Sequence, residues 1–205
     1  MNLPNSLTVT RIFLVPLLVV VLLTKFEGRQ ILGVPKEIVG AAIFGLASVT
    51  DWLDGYLARR RKQVTAFGQV IDPLADKLLI SAALMSLVQL ELATAWMVWI
   101  IIGRELAVTG LRSLAYARGV VIPASRLGQI KMVAEVVAIL ALILSRTGNG
   151  EMSELYVVGQ TGLWVVMAAA LISAADYFRR FNAVLSPRIA DITVAREERS
   201  DRKAG

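Results

Sequence analysis

The 205-residue chain contains neither cysteine nor histidine. Without cysteine there is no disulfide, no thiolate nucleophile and no thiolate ligand for a metal. Without histidine the commonest general base and the imidazole ligand are missing as well. Acid–base or metal chemistry must therefore rest on carboxylates, and an all-oxygen ligand set suits Mg2+, Mn2+ or Ca2+ better than Zn2+. Charge is scarce too: 19% of residues are charged and 56% are hydrophobic, with a mean hydropathy of +0.64. That apolar share exceeds that of an ordinary soluble domain. It points to one compact membrane domain with no room for a separate soluble one. The net charge of +6 comes without the interleaved aromatic and basic residues of a nucleic-acid surface, so no nucleic-acid partner is expected.

Apolar segments of roughly 20 residues, enough to cross a bilayer as helices, run at about 7–24, 38–59, 68–90, 96–117, 127–144 and 156–178. The expected fold is all-α, with six transmembrane helices. The first segment lacks a basic leader and a small-residue cleavage site and is interrupted by Arg11, so it reads as a helix rather than a signal peptide. Residues 1–182 form the expected membrane catalytic domain, and 183–205 a polar, frayed tail on the cytoplasmic side.

Basic residues sort by side. The connections at 25–36, 91–95 and 146–155 hold four: Lys25, Arg29, Lys36 and Arg146. The connections at 59–67 and 118–126, together with the tail from Arg179, hold thirteen. Cytoplasmic loops carry the excess of Lys and Arg. The N-terminus, these basic connections and the tail are therefore expected on the cytoplasmic face of the cell inner membrane. Trp96 and Trp99 mark the opposite interface.

Against this apolar background stand four aspartates, Asp51, Asp54, Asp72 and Asp76, in the pattern Asp-x2-Asp-Gly-x2-Ala-Arg-x8-Gly-x3-Asp-x3-Asp. Carboxylates at membrane depth are costly and usually functional. Asp51 and Asp54 share a face of the second helix, while Gly68, Asp72 and Asp76 recur along one face of the third. A hairpin of the two helices would gather the carboxylates on the cytoplasmic side, with Pro73 locally disturbing the helix. Such a set could hold one or two divalent ions, and two ions about 3.5–4 Å apart can clamp a phosphoryl group during in-line displacement. Gly55, Ala58 and Gly68 leave space for close helix approach or for a flat ligand. Arg59 could reach a phosphate, and Asp76, furthest along, could serve as general base to an attacking hydroxyl.

This pattern resembles the signature of the CDP-alcohol phosphatidyltransferases, with Asp51, Asp54, Gly55, Ala58, Arg59, Gly68, Asp72 and Asp76 all in place. The resemblance implies a six-helix membrane enzyme that moves a phosphatidyl group from CDP-diacylglycerol to an alcohol and releases CMP. It implies that Asp51, Asp54 and Asp72 hold Mg2+ or Mn2+, two ions being expected. Asp76 would complete that site and act as catalytic base. Gly55, Ala58, Arg59 and Gly68 would line the CDP-lipid pocket, with Asn5 and Thr8 beside it. The stretches 2–11, 103–112 and 124–131 are similar to the bacterial phosphatidylglycerophosphate synthases of that family, whose acceptor is sn-glycerol 3-phosphate. An anionic acceptor needs cations, and Arg112, Arg126 and Lys131 are the expected contacts to its phosphate.

Competing readings remain at this stage. Inositol phosphate, serine or phosphatidylglycerol could replace the acceptor with the mechanism kept. A cation transporter would use the carboxylates as an ion relay, but it leaves the Gly, Ala and Arg positions unexplained. Lys77 and Arg59 could pair with some of the aspartates. Lys131 could pair with Glu135 at i,i+4 spacing, and Arg104 and Glu105 could be structural. Gly40, Gly45 and residues 168–170 suit helix packing, and Gly159 and Gly162 could support an expected homodimer.

Overall fold

The computed structural model describes the backbone of residues 3–24, 30–31, 33–61, 66–117, 126–147 and 154–204. Within these it describes the side chains of 10–24, 30–31, 33–50, 75, 77–111, 113, 131–147 and 154–179. The described residues form six helices: α1 (Leu3–Leu23), α2 (Lys36–Arg61), α3 (Ala66–Gln89), α4 (Ala95–Ala117), α5 (Arg126–Leu144) and α6 (Glu154–Ala204). Contacts between the described helix ends show the helices alternating in direction. The ends at Leu23, Lys36, Gln89, Ala95, Leu144 and Glu154 gather at one end of the bundle.

Three features differ from the sequence expectation. A two-residue strand pair, β1 (Gln30–Ile31) with β2 (Val34–Pro35), interrupts the connection before α2, pairing Gln30 with Pro35 and Ile31 with Val34. Gly33, at φ 80°, supplies the left-handed backbone that so tight a reversal needs. Next, α3 runs unbroken through Pro73; a proline removes one backbone donor, and the hydrogen bonds on either side keep the helix continuous. Finally, α6 continues to Ala204, so the backbone of the expected frayed tail prolongs the last helix. The apolar period ends near Phe178, but Ala, Arg and Glu beyond it are good helix formers that need no apolar face.

Capping ties the first end of the bundle together. Lys36 Nζ donates to the carbonyls of Leu22 (2.9 Å), in the last turn of α1, and of Thr24 (3.0 Å), just past it. The α3–α4 turn is a Schellman closure: Leu92 N donates to Leu87 O at 2.9 Å and Glu91 N to Val88 O at 3.0 Å. Glu91 takes φ 61°, the left-handed conformation that this closure requires. Arg146, just past α5, donates to Leu90 O at 2.9 Å, and Gln160 of α6 to Leu92 O at 2.6 Å. Trp96 meets Trp164 edge-on, with ring centroids 5.7 Å apart.

The most extensive interface joins α5 to α6, followed by those of α1 with α3 and α2. Small residues allow the close approaches. A Cβ at Gly40 would lie 2.5 Å from Leu22 Cδ2, so α1 and α2 meet where that side chain is absent. A Cβ at Gly159 would lie 2.5 Å from Leu142 Cγ and 3.1 Å from Ala138 O, and one at Gly162 would lie 2.8 Å from Ala138 Cβ. Gly159 and Gly162 thus face α5 of the same chain. This corrects the expectation that they support pairing with a second copy.

Leu18, Phe44, Leu84, Ile101, Ile139 and Leu163 form a fully buried core, yet large apolar side chains also cover the outside. Trp99 is 78% exposed and Phe13 71%, with Leu46, Met85, Val133 and Ile172 likewise outward. Among the described residues, Glu154–Arg179 is long and apolar enough to cross a membrane, and Thr10–Leu23 and Lys77–Gln89 are shorter apolar helices.

Candidate functional site

The aspartate motif occupies the far end of the α2–α3 hairpin. Asp51, Asp54, Gly55, Ala58 and Arg59 fall in the last turns of α2, and Gly68, Asp72 and Asp76 in the first turns of α3. The two helices pack together, and α1 lies against both. The antiparallel arrangement puts Asn5 and Thr8, in the first turns of α1, at the same end. The backbone thus brings all three segments of the expected lipid and metal site to one end of the bundle. The side chains of Asn5, Thr8, Asp51, Asp54, Gly55, Ala58, Arg59, Gly68, Asp72 and Asp76 lie outside the described residues, as do those of Arg112 and Arg126. Among the described side chains no group of three or more acids could hold a metal.

On the approach to Asp51, α2 satisfies its own hydroxyls. Ser48 Oγ donates to Phe44 O at 2.8 Å, and Thr50 Oγ1 to Ala47 O at 3.1 Å and to Leu46 O. Such back-bonding spends the donors inside the helix. Both hydroxyls thus have partners within their own helix.

The residue after Asp76 leads into a second polar region, formed by described side chains of α3, α4, α5 and α6. Lys77 of α3 reaches Glu105 Oε2 on α4 at 3.4 Å. The other oxygen of that carboxylate, Oε1, takes Arg104 Nη1 and Lys131 Nζ, the latter from α5. Lys131 also lies 3.6 Å from Glu135 Oε2. Arg104 Nη2 donates to Ser173 Oγ of α6 at 2.6 Å. The lysine is the innermost member: its side chain is 3% exposed and that of Glu135 6%, whereas Glu105 is 29% exposed. Buried charges persist when paired and hydrogen-bonded, and among the described residues three cations share the carboxylates of Glu105 and Glu135.

This arrangement redistributes several expected roles. Lys77 pairs with Glu105. The i,i+4 pair of Lys131 with Glu135 forms. Lys131 was expected as an acceptor-phosphate contact; it is buried with both its carboxylate partners on the protein itself, so a phosphate would reach it only from the side of the more exposed Glu105. Sequence reasoning missed Glu105 as a hub, because its lysine partners lie 28 and 26 residues away in the chain. Helical spacing cannot signal pairs so distant.

Residues 1–175 match the family model of the CDP-alcohol phosphatidyltransferases. A curated relative from Bacillus subtilis, a CDP-diacylglycerol–glycerol-3-phosphate 3-phosphatidyltransferase, is 45% identical, covering 87% of this chain and 94% of its own. A Rickettsia felis protein of the same name is 36% identical with the same coverage. A probable phosphatidylglycerophosphate synthase of Mycobacterium tuberculosis is 40% identical, covering 87% of this chain and 81% of its own. With the aspartate motif at one end of the helical bundle and a family match across most of its length, the chain belongs to the CDP-alcohol phosphatidyltransferase family.

Proposed function

We propose that the protein transfers the phosphatidyl group of CDP-diacylglycerol to sn-glycerol 3-phosphate, giving phosphatidylglycerol phosphate and CMP. The observation that carries this reading is the complete eight-position motif on the α2–α3 hairpin, in a chain whose relatives are named for that reaction. In the transfer, the sn-1 hydroxyl oxygen of the acceptor forms a bond to the lipid-bearing β-phosphorus. The phosphoanhydride bond to CMP breaks, and Asp76 takes the hydroxyl proton. Gly55, Ala58, Arg59 and Gly68, with Asn5 and Thr8, would form the CDP-lipid pocket. Arg112, Arg126 and Lys131 would draw the anionic acceptor.

The donor set suits a hard divalent cation: carboxylates alone, two on each of two packed helices, with no imidazole or thiolate anywhere in the sequence. Asp51, Asp54, Asp72 and Asp76 would hold Mg2+ or Mn2+, which supplies charge neutralisation to the phosphoryl oxygens and the leaving CMP.

The same reading embeds the bundle in the inner membrane. Apolar side chains turned outward on α1 through α6 suit hydrocarbon better than water. Six spans with the motif end on the cytoplasmic side would let the lipid donor arrive laterally and the soluble acceptor from the cytoplasm, and the thirteen-to-four split of basic residues supports that orientation. Purified protein supplied with CDP-diacylglycerol, glycerol 3-phosphate and Mn2+ or Mg2+ should release CMP. Release with serine, inositol phosphate or phosphatidylglycerol but not with glycerol 3-phosphate would overturn the acceptor assignment.

A further inference from the structure

Glu105 is the point at which three helices are joined by charge. Its two oxygens divide the work: Oε2 meets Lys77 of α3, and Oε1 meets Lys131 of α5 and its neighbour Arg104. The other members have second partners, since Arg104 also reaches Ser173 and Lys131 also reaches Glu135. Among the described residues, Glu105 is the tether of Lys77. The packing makes that tether consequential. Extended interfaces join α4 to α6 and α5 to both α6 and α2, while α4 and α5 share no comparable one among the described residues. Long side chains bridge the gap between them. At 29% exposure Glu105 stands on the open side of this bridge, and Lys131, at 3%, lies behind it.

We propose that Glu105 is a positioning residue of the acceptor site. Its carboxylate holds the Lys77 and Lys131 ammonium groups, from separate helices, on one side of the gap between α4 and α5. It thereby keeps the ammonium of Lys77 beside that of Lys131. The inference rests on the reading of an anionic acceptor given above. Two ammonium groups in a low-dielectric interior repel each other unless a shared anion lies between them. Neutralising that anion frees Lys77 to swing away and leaves the cationic pocket disordered. Glu105 acts through the lysines and touches no substrate itself.

The test is the steady-state kinetics of purified Glu105→Gln and Lys77→Met in detergent, with each substrate varied in turn. Loss of a charged hydrogen bond predicts a KM for glycerol 3-phosphate raised about tenfold in Glu105→Gln. The KM for CDP-diacylglycerol should stay within about twofold, because the lipid pocket draws on other residues. Lys77→Met should shift in the same direction. The double variant should be little worse than Glu105→Gln alone, since the two side chains act as one unit. If Glu105→Gln cannot be recovered folded, Lys77→Met carries the same comparison between the two KM values. An equal rise in both KM values, an unchanged KM for glycerol 3-phosphate, or full additivity in the double variant would overturn the role of Glu105. Wild-type protein that releases no CMP with glycerol 3-phosphate would overturn the acceptor assignment and this role together; an active wild type with an unaffected Glu105→Gln would overturn this role alone.

Discussion

Asp76 and Lys77 are neighbours in the chain, and different roles fall to them here. One is the fourth carboxylate of the motif, and the other is drawn across to Glu105. In the proposed mechanism Asp76 takes the proton of the attacking hydroxyl, a role that contributes about 10²- to 10⁴-fold in rate. Asp76→Asn keeps the shape and removes the base. CMP release should fall by at least about a hundredfold, while binding of CDP-diacylglycerol, followed by its protection of the protein against heat, remains measurable. Turnover near wild type would remove Asp76 from that role. The motif was legible at this scale because its spacing is short and rigid: i,i+3 and i,i+4 separations on helices read directly as shared faces. The same rule anticipated the Lys131–Glu135 pair. It could not anticipate Glu105, whose carboxylate is selected by helices that come together only after the bundle folds.

At the scale of elements, helix positions followed from apolar length, and their ends from capping chemistry that sequence signals only in part. Thr94, whose carbonyl receives Val98 N at 3.2 Å, sits at the start of α4 as N-cap preference suggests. The left-handed Glu91 has no such signal, because glycine or asparagine is the usual occupant. The strand pair around Gly33 is two residues long on each side, too short for alternating polarity to register. Close helix approach leads to a sharper expectation. Gly159→Ala forces a Cβ to within 2.5 Å of Leu142 Cγ and 3.1 Å of the Ala138 carbonyl. The branch carbon and the backbone yield less readily than a side-chain tip, so thermal unfolding in detergent should reveal a loss of about 1–3 kcal/mol. Gly45→Ala meets only Leu140 Cδ2 at 3.9 Å and should be neutral or slightly stabilising, since alanine is the better helix former by up to about 1 kcal/mol. Equal effects at the two positions would contradict this account of the α5–α6 seam.

For the whole molecule, the missing cysteines become an experimental convenience. Any thiol introduced is the only one present, so membrane sidedness can be read directly. Thr147→Cys, at the end with few basic residues, should react with a membrane-impermeant maleimide on intact cells. Ser200→Cys, in the basic extension of α6, should react only after permeabilisation; the reverse pattern would invert the proposed orientation. Among the described residues the bundle is tied unevenly along its length. Lys36, Arg146 and Gln160 bind the turns together at one end, the Glu105 network crosses near the middle, and the motif lies toward the other end. A sheaf gathered at one end widens only as a fan does, by rotation about the gathered point. Over a helix of about 30 Å, a tilt of about 5° displaces the end away from the tied turns by roughly 2.5 Å. Clearance for an incoming alcohol would then come from small angular changes, with displacement least at the tied turns and greatest where the aspartates stand.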